Sequence, residues 1–141
     1  MIKYNCFYCN KDWALHDLMI EISELNVSTL YLNKDQTHRG RCIVSFNRHV
    51  TELYQLSKEE LHSFMEDIAH TSQILNEVFH PDKINYAIYG DIVSHLHVHI
   101  VPKSRKSSEW GDAFINSPDN KHYLNEENYT KIINIIRKRL N

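Results

Sequence analysis

The chain is 141 residues long, with 42% hydrophobic and 24% charged residues, enough apolar material to bury a core and so not a disordered tail. Sixteen Lys and Arg against eighteen Asp and Glu leave a net charge of −2, so no general positive field attracts nucleic acid. No apolar run approaches the roughly 18–20 residues that cross a bilayer, and Met1-Ile2-Lys3-Tyr4-Asn5-Cys6 lacks the apolar segment of a secretory signal. A cytoplasmic protein without a membrane or nucleic-acid partner is the expectation.

No repeat or low-complexity linker interrupts the chain, and residues 1–141 read as a single domain. Near the start, Cys6-Phe7-Tyr8-Cys9 places two thiols close enough to chelate one ion, the usual first half of a zinc site. Two histidines would complete a Cys2His2 shell, and spacing alone cannot choose them from ten. Short β-branched or aromatic runs follow at Ile20–Leu25, Thr29–Leu32 and Arg41–Phe46, with a polar connection ending in Gly40 between the last two. Cys42 alternates inside a strand and reads as a small buried hydrophobe.

A long helix is predicted after Ser57. Ser57 and Glu60 form a capping box, and Leu61, Phe64, Met65, Ile68, Leu75, Val78 and Phe79 recur as one apolar stripe until His80-Pro81 stops it. Ile84–Tyr89 and His95–Val101 read as a strand pair joined near Gly90-Asp91. A final helix is expected over about 125–140, with Glu126 and Glu127 at its positive end and Arg137, Lys138 and Arg139 at its negative end. Its buried face is Tyr129, Ile132, Ile133, Ile136 and Leu140. The fold class is α+β with a largely antiparallel sheet.

His95-Leu96-His97-Val98-His99-Ile100-Val101 alternates imidazole and aliphatic side chains. On a strand, alternate residues share a face, so Leu96, Val98 and Ile100 turn to the core while the three rings line the other side, about 6–7 Å apart. Crowded imidazoles resist joint protonation, so at least one stays neutral, as a nucleophile or a metal ligand must be. A solvated face that happens to carry histidines and a three-histidine metal site are the alternatives.

This motif resembles the H-φ-H-φ-H-φ-φ signature (φ apolar) of the histidine triad family of nucleotide hydrolases and transferases. The resemblance extends over about residues 6–115, through Thr29-Leu30-Tyr31-Leu32-Asn33, Gly40-Arg41-Cys42-Ile43-Val44, Arg48-His49-Val50, the long helix and Trp110-Gly111. It implies a five-stranded antiparallel sheet with one long central helix and a C-terminal helix, in a homodimer. It also implies that His97 attacks the α-phosphorus of a nucleotide derivative and becomes nucleotidylated, that His99 bonds to phosphate or leaving-group oxygens, and that His95 orients the nucleophile through its carbonyl. Substrates in the family are nucleoside phosphoramidates or dinucleoside polyphosphates, usually of adenine. A nucleotidyltransferase, or a nucleotide-binding regulatory module with little turnover, is the alternative.

By the same resemblance Asn33 binds ribose hydroxyls, Trp110 reaches toward a partner subunit's site, and zinc is held structurally by Cys6, Cys9, His49 and His95. Ser94, just before the triad, is a candidate hydroxyl donor to phosphate or a plain turn residue. Asp91 departs from the family pattern: many relatives carry Asn or Gln there, and a carboxylate beside phosphate repels it unless protonated or paired with a cation. His16, His38, His62, His70, His80 and His122 read as surface or satisfied histidines.

Overall fold

The computed structural model describes residues 5–141; residues 1–4, part of the stretch read as lacking a secretory signal, lie outside the described residues. The described chain opens with two short helices that apolar periodicity does not reveal, because neither is long enough to repeat. Helix α1 (Phe7–Asn10) ends at Lys11 in the left-handed region (φ 46°, ψ 49°). Helix α2 (Trp13–Leu18) starts where the Asp12 carboxylate accepts from the Ala14 and Leu15 N–H groups at 3.1 and 3.4 Å.

Five strands follow: β1 (Met19–Glu24), β2 (Ser28–Asn33), β3 (Cys42–Phe46), β4 (Lys83–Ala87) and β5 (His97–Lys103). They form one antiparallel sheet in the order β1-β2-β3-β5-β4, so the histidine strand sits between β3 and β4. The expectation of five antiparallel strands holds, with changed boundaries: β4 ends at Ala87, so Ile88 and Tyr89 lie outside it. His95 and Leu96 precede β5; Leu96 is held instead by its N–H on the Val50 carbonyl at 2.8 Å and its carbonyl on the Phe46 N–H at 3.0 Å.

Between β3 and β4 runs helix α3 (Lys58–Phe79), begun by the expected box: the Ser57 hydroxyl accepts from the Glu60 N–H at 3.1 Å and the Glu60 carboxylate from the Ser57 N–H at 2.9 Å. Its stripe is narrower than expected. Leu61 and Met65 are 37% and 41% exposed, while Asp67, Thr71 and Ser72 share the buried face with Phe64, Ile68, Ile74 and Leu75. Asp67 explains the polar flank. Its carboxylate accepts from the Asn26 N–H, the Asn26 side-chain amide, the Val27 N–H and the Ser28 hydroxyl at 3.2, 3.0, 3.0 and 2.7 Å, fastening α3 to the β1–β2 turn. Helix α4 (Glu126–Leu140) buries Tyr129, Ile133 and Ile136 on the predicted side, with Ile132 and Leu140 partly covered.

The two sheet faces have different companions. Leu30, Leu32, Cys42, Val44, Leu96, Val98 and Ile100 form the main core with α3 and α4. On the opposite face Tyr31 and Ile43 pack with Cys6, Tyr8, Leu15 and Met19 from the N-terminal segment. The imidazoles of β5 belong to this second face, since His97 pairs with Ser45 and His99 with Ile43 across the ladder. Gly40, which leads into β3, is the one residue that fits there: φ is +86°, and an added Cβ would lie 2.8 Å from the Phe79 ring.

Candidate active site

Hydrogen bonds assign a separate task to each nitrogen of the three rings. His97 is buried, and its Nδ1–H donates to the His95 carbonyl at 2.6 Å. The proton is therefore on Nδ1, and Nε2 carries the lone pair. His95 donates from Nε2 to the Phe46 carbonyl at 2.6 Å, which leaves its Nδ1 bare. His99 has the opposite arrangement. Its Nδ1 lies 3.0 Å from Arg41 Nη2, and because a guanidinium has no acceptor, Nδ1 must accept and Nε2 must hold the proton.

All three rings are shifted toward neutrality, and burial is the leading cause in each, ahead of the mutual repulsion that the sequence suggests. For His99, burial and then the Arg41 charge and His97 bring the pKa to about 3. For His97, burial outweighs the opposing bond to the His95 carbonyl, and Arg41 adds to the lowering. Tyr8, whose ring lies 5.2 and 5.1 Å from those of His95 and His97, is pushed well above the usual phenol range by burial.

His97 and His99 open onto a cavity of about 440 Å³ whose apolar wall includes Phe7, Leu18, Met19, Ile43 and Val93. Asn33 lines it, with its amide donating to the Asp35 carbonyl at 2.9 Å, and Asp91 is an exposed lining residue. A smaller lobe of about 180 Å³ shares Asn33, His99 and Asn116 with the first. Ser94 is exposed and lines neither lobe, nor does Trp110, whose ring stacks under the Arg105 guanidinium at 4.9 Å.

Two site residues escape sequence reasoning. Arg41 is 4% exposed, and its guanidinium donates to His99, to the Asn116 carbonyl at 2.8 Å and to Asn116 Oδ1 at 2.7 Å. Asn116 comes from the long β5–α4 connection, 75 positions away. The available signal was a charged residue opening an otherwise apolar strand, which here is buried and not solvated.

Beside the triad, Cys6, Cys9, His49 and His95 converge. Their ligand atoms all lie within 4.8 Å of one another. His95 Nδ1 is 3.4 and 3.5 Å from the Cys6 and Cys9 sulfurs and 3.1 Å from His49 Nδ1, and the Cys9 sulfur is 3.1 Å from the same His49 nitrogen. A zinc ion with Zn–N of about 2.0–2.1 Å and Zn–S of about 2.3 Å needs tetrahedral edges of about 3.3–3.8 Å. Two thiols and two imidazoles suit that ion, and the outward Nε2–H of His95 on a backbone carbonyl is the support such ligands require. The four residues are those the resemblance selects.

Comparisons with known proteins agree with this fold. A family model described as the HIT domain matches residues 20–106. A curated relative, a bis(5'-adenosyl)-triphosphatase of Dictyostelium discoideum, is 30% identical over 82 residues, and the match spans 55% of each chain, about half the relative's length. A histidine triad protein of Sinorhizobium meliloti superposes with a TM-score of 0.82 at 20% identity, covering 91% of this chain and 94% of the other. A zinc-bound histidine triad family protein of Mycobacterium smegmatis does so at 0.67 and 21% identity, covering 96% and 93%. The imidazole-bearing strand, its place in the sheet and the match over residues 20–106 establish that the chain belongs to the HIT domain family.

Proposed function

We propose that the protein is a nucleotide hydrolase acting at the α-phosphorus of adenine nucleotide derivatives, dinucleoside polyphosphates or phosphoramidates, through a covalent intermediate on His97. The observation that carries this reading is the 2.6 Å bond from His97 Nδ1–H to the His95 carbonyl. It leaves the lone pair on Nε2 of a residue that lines the cavity. The name of the Dictyostelium relative supports the adenine dinucleotide class.

In the first step His97 Nε2 bonds to the α-phosphorus while the bond to the leaving group breaks and the leaving group takes the electron pair. The charge gained by the ring is shared with the His95 carbonyl through Nδ1–H. His99 offers its Nε2–H to a phosphoryl oxygen. Water then attacks phosphorus, the N–P pair returns to Nε2, the water proton passes to solvent, and the nucleoside monophosphate leaves. Asn33 serves the ribose, and Asp91 stands among the lining residues. Ser94 and Trp110 make no substrate contact within one chain in this reading. Cys6, Cys9, His49 and His95 would hold a structural zinc; with four protein ligands it supplies rigidity to the chain around His95 and leaves no open coordination position. The proposal includes a cytoplasmic homodimer. Among the described residues, no helix is long and apolar enough to cross a membrane.

Intact-mass measurement after rapid quenching with diadenosine triphosphate tests the reading. Wild-type protein is expected to carry a transient adenylyl adduct, and His97→Ala neither the adduct nor more than about a thousandth of the turnover. Undiminished turnover by His97→Ala overturns it.

A further inference from the structure

The buried arginine has no acid to pair with. Among the described residues no carboxylate lies within ion-pair distance of Arg41; its two terminal nitrogens donate to neutral acceptors, His99 Nδ1 and two oxygens of Asn116, while its buried Nε–H has no partner. Its guanidinium carbon lies 5.3 Å from the centre of the Phe114 ring, which leaves little freedom to swing away.

We propose that Arg41, by occupying Nδ1 of His99, restricts this site to leaving groups that depart as stable anions, so that phosphoanhydrides, not phosphoramidates, are its substrates. The inference rests on the nucleotidyl-transfer reading above. A ring whose Nδ1 accepts from a guanidinium holds one proton, on Nε2. It can offer that proton in a hydrogen bond but cannot surrender it, because loss would leave an imidazolate. A second proton would have to sit on the atom Arg41 already occupies, next to a full positive charge. The low pKa of His99 agrees.

Neither of the other two triad rings supplies an acid. His97 is the nucleophile, with its one N–H on the His95 carbonyl, and His95 spends its N–H on Phe46. In the smaller lobe the Lys121 ammonium donates to the Pro118 carbonyl at 3.0 Å, and Asp35 accepts from Thr37 and the His122 N–H.

Leaving groups differ sharply in what they ask of such a site. When the P–O bond of a polyphosphate breaks, the pair stays on a phosphate oxygen that is stable as an anion. When the P–N bond of an alkyl phosphoramidate breaks, nitrogen must receive a proton as the pair arrives, and positioned acids are worth about 10²–10⁴-fold in such steps. Arg41 is thus a positioning residue that acts through His99.

The test compares kcat/KM for diadenosine triphosphate and for the propylamine phosphoramidate of adenosine 5′-monophosphate, measured on the same samples. Wild type is expected to favour the anhydride by about 100-fold or more. Arg41→Gln frees Nδ1 to take a proton, and the preference should fall at least about 10-fold, whatever fraction of the sample is folded. Arg41→Lys keeps a cationic donor and should keep the preference, even if both rates drop. An Arg41→Gln preference equal to wild type, or a wild type that favours the phosphoramidate, overturns the proposal. Long-range ¹H–¹⁵N spectra of the His99 ring give a readout independent of turnover: Nδ1 bare and Nε2 protonated in wild type, mixed in Arg41→Gln. Folded wild-type protein that turns over neither compound refutes the functional reading instead. In that case a protonated Nδ1 in the wild-type spectrum still refutes the hold of Arg41 on His99.

Discussion

Acidification should cost this fold stability through His99, and the amount follows from the site. An unfolded histidine protonates near pH 6.5, whereas burial first, and Arg41 and His97 after it, keep the folded ring neutral until about pH 3. Between those values the unfolded chain binds one more proton than the native one, so stability falls as pH falls across that window. Each unit below 6.5 is worth about 1.4 kcal/mol, which gives about 2 kcal/mol between pH 7 and pH 5 for this one residue. The figure does not depend on the exact folded pKa, because the native ring has scarcely begun to titrate at pH 5. Urea unfolding of wild type and His99→Gln at pH 7 and pH 5 isolates it, since His95, His97 and the other histidines are common to both proteins. The wild type should lose about 2 kcal/mol more than the variant over that interval. Equal losses would mean that the folded His99 accepts a proton as readily as a free one, and the Arg41 contact would not hold in solution.

Two further perturbations probe the supports of the site. Asp67→Ala removes the acceptor of four donors around the β1–β2 turn, with Ser28 fully buried. A buried donor left unpaired costs about 1–3 kcal/mol, so a loss of about 3–5 kcal/mol in urea unfolding is expected. A loss under about 1 kcal/mol would show that water replaces the carboxylate. For the metal centre, mass spectrometry under native conditions should find one zinc per chain in wild type and none in the Cys6→Ser/Cys9→Ser double variant. The variant should also lose about 3 kcal/mol of stability or more, the linkage worth of an ion held above about 100 times its Kd. Zinc retained by the double variant would place the ion elsewhere.

How much of this was legible before folding depended on the range of the interaction. Strand β5 announced itself because alternation of period two is a local property, and Leu96, Val98 and Ile100 do enter the main core. The start of α3 was equally local, written in Ser57 and Glu60. Helices α1 and α2 were not, because they are shorter than a repeat and depend on Asp12 and on the left-handed Lys11. Spacing puts Leu61 and Met65 in the buried stripe, yet it cannot tell the middle of a helix face from its rim, where both lie. The thiols and imidazoles of the metal cluster lie up to 89 positions apart, so only the resemblance could select His49 and His95 from ten histidines. Arg41 was hidden for a simpler reason: a charged residue is usually solvated, and nothing near it in sequence shows that Asn116 and His99 will enclose it.

The Cys2His2 cluster and the proposed nucleophile are joined through one residue. His95 presents Nδ1 to Cys6, Cys9 and His49, fixes its ring by Nε2–H on the Phe46 carbonyl, and gives its own carbonyl to His97. Any rotation of the His95 peptide therefore loosens the bond that keeps the His97 proton on Nδ1. Loss of that bond lets the proton move to Nε2, where a protonated nitrogen cannot attack phosphorus. His95 stands before β5 and outside its ladder, and its carbonyl is held instead through its own peptide, whose Leu96 N–H donates to the Val50 carbonyl at 2.8 Å. The N-terminal thiols and His49 restrain the ring of the same residue as well, which gives a physical reason for a Cys2His2 cluster to sit beside the histidine triad.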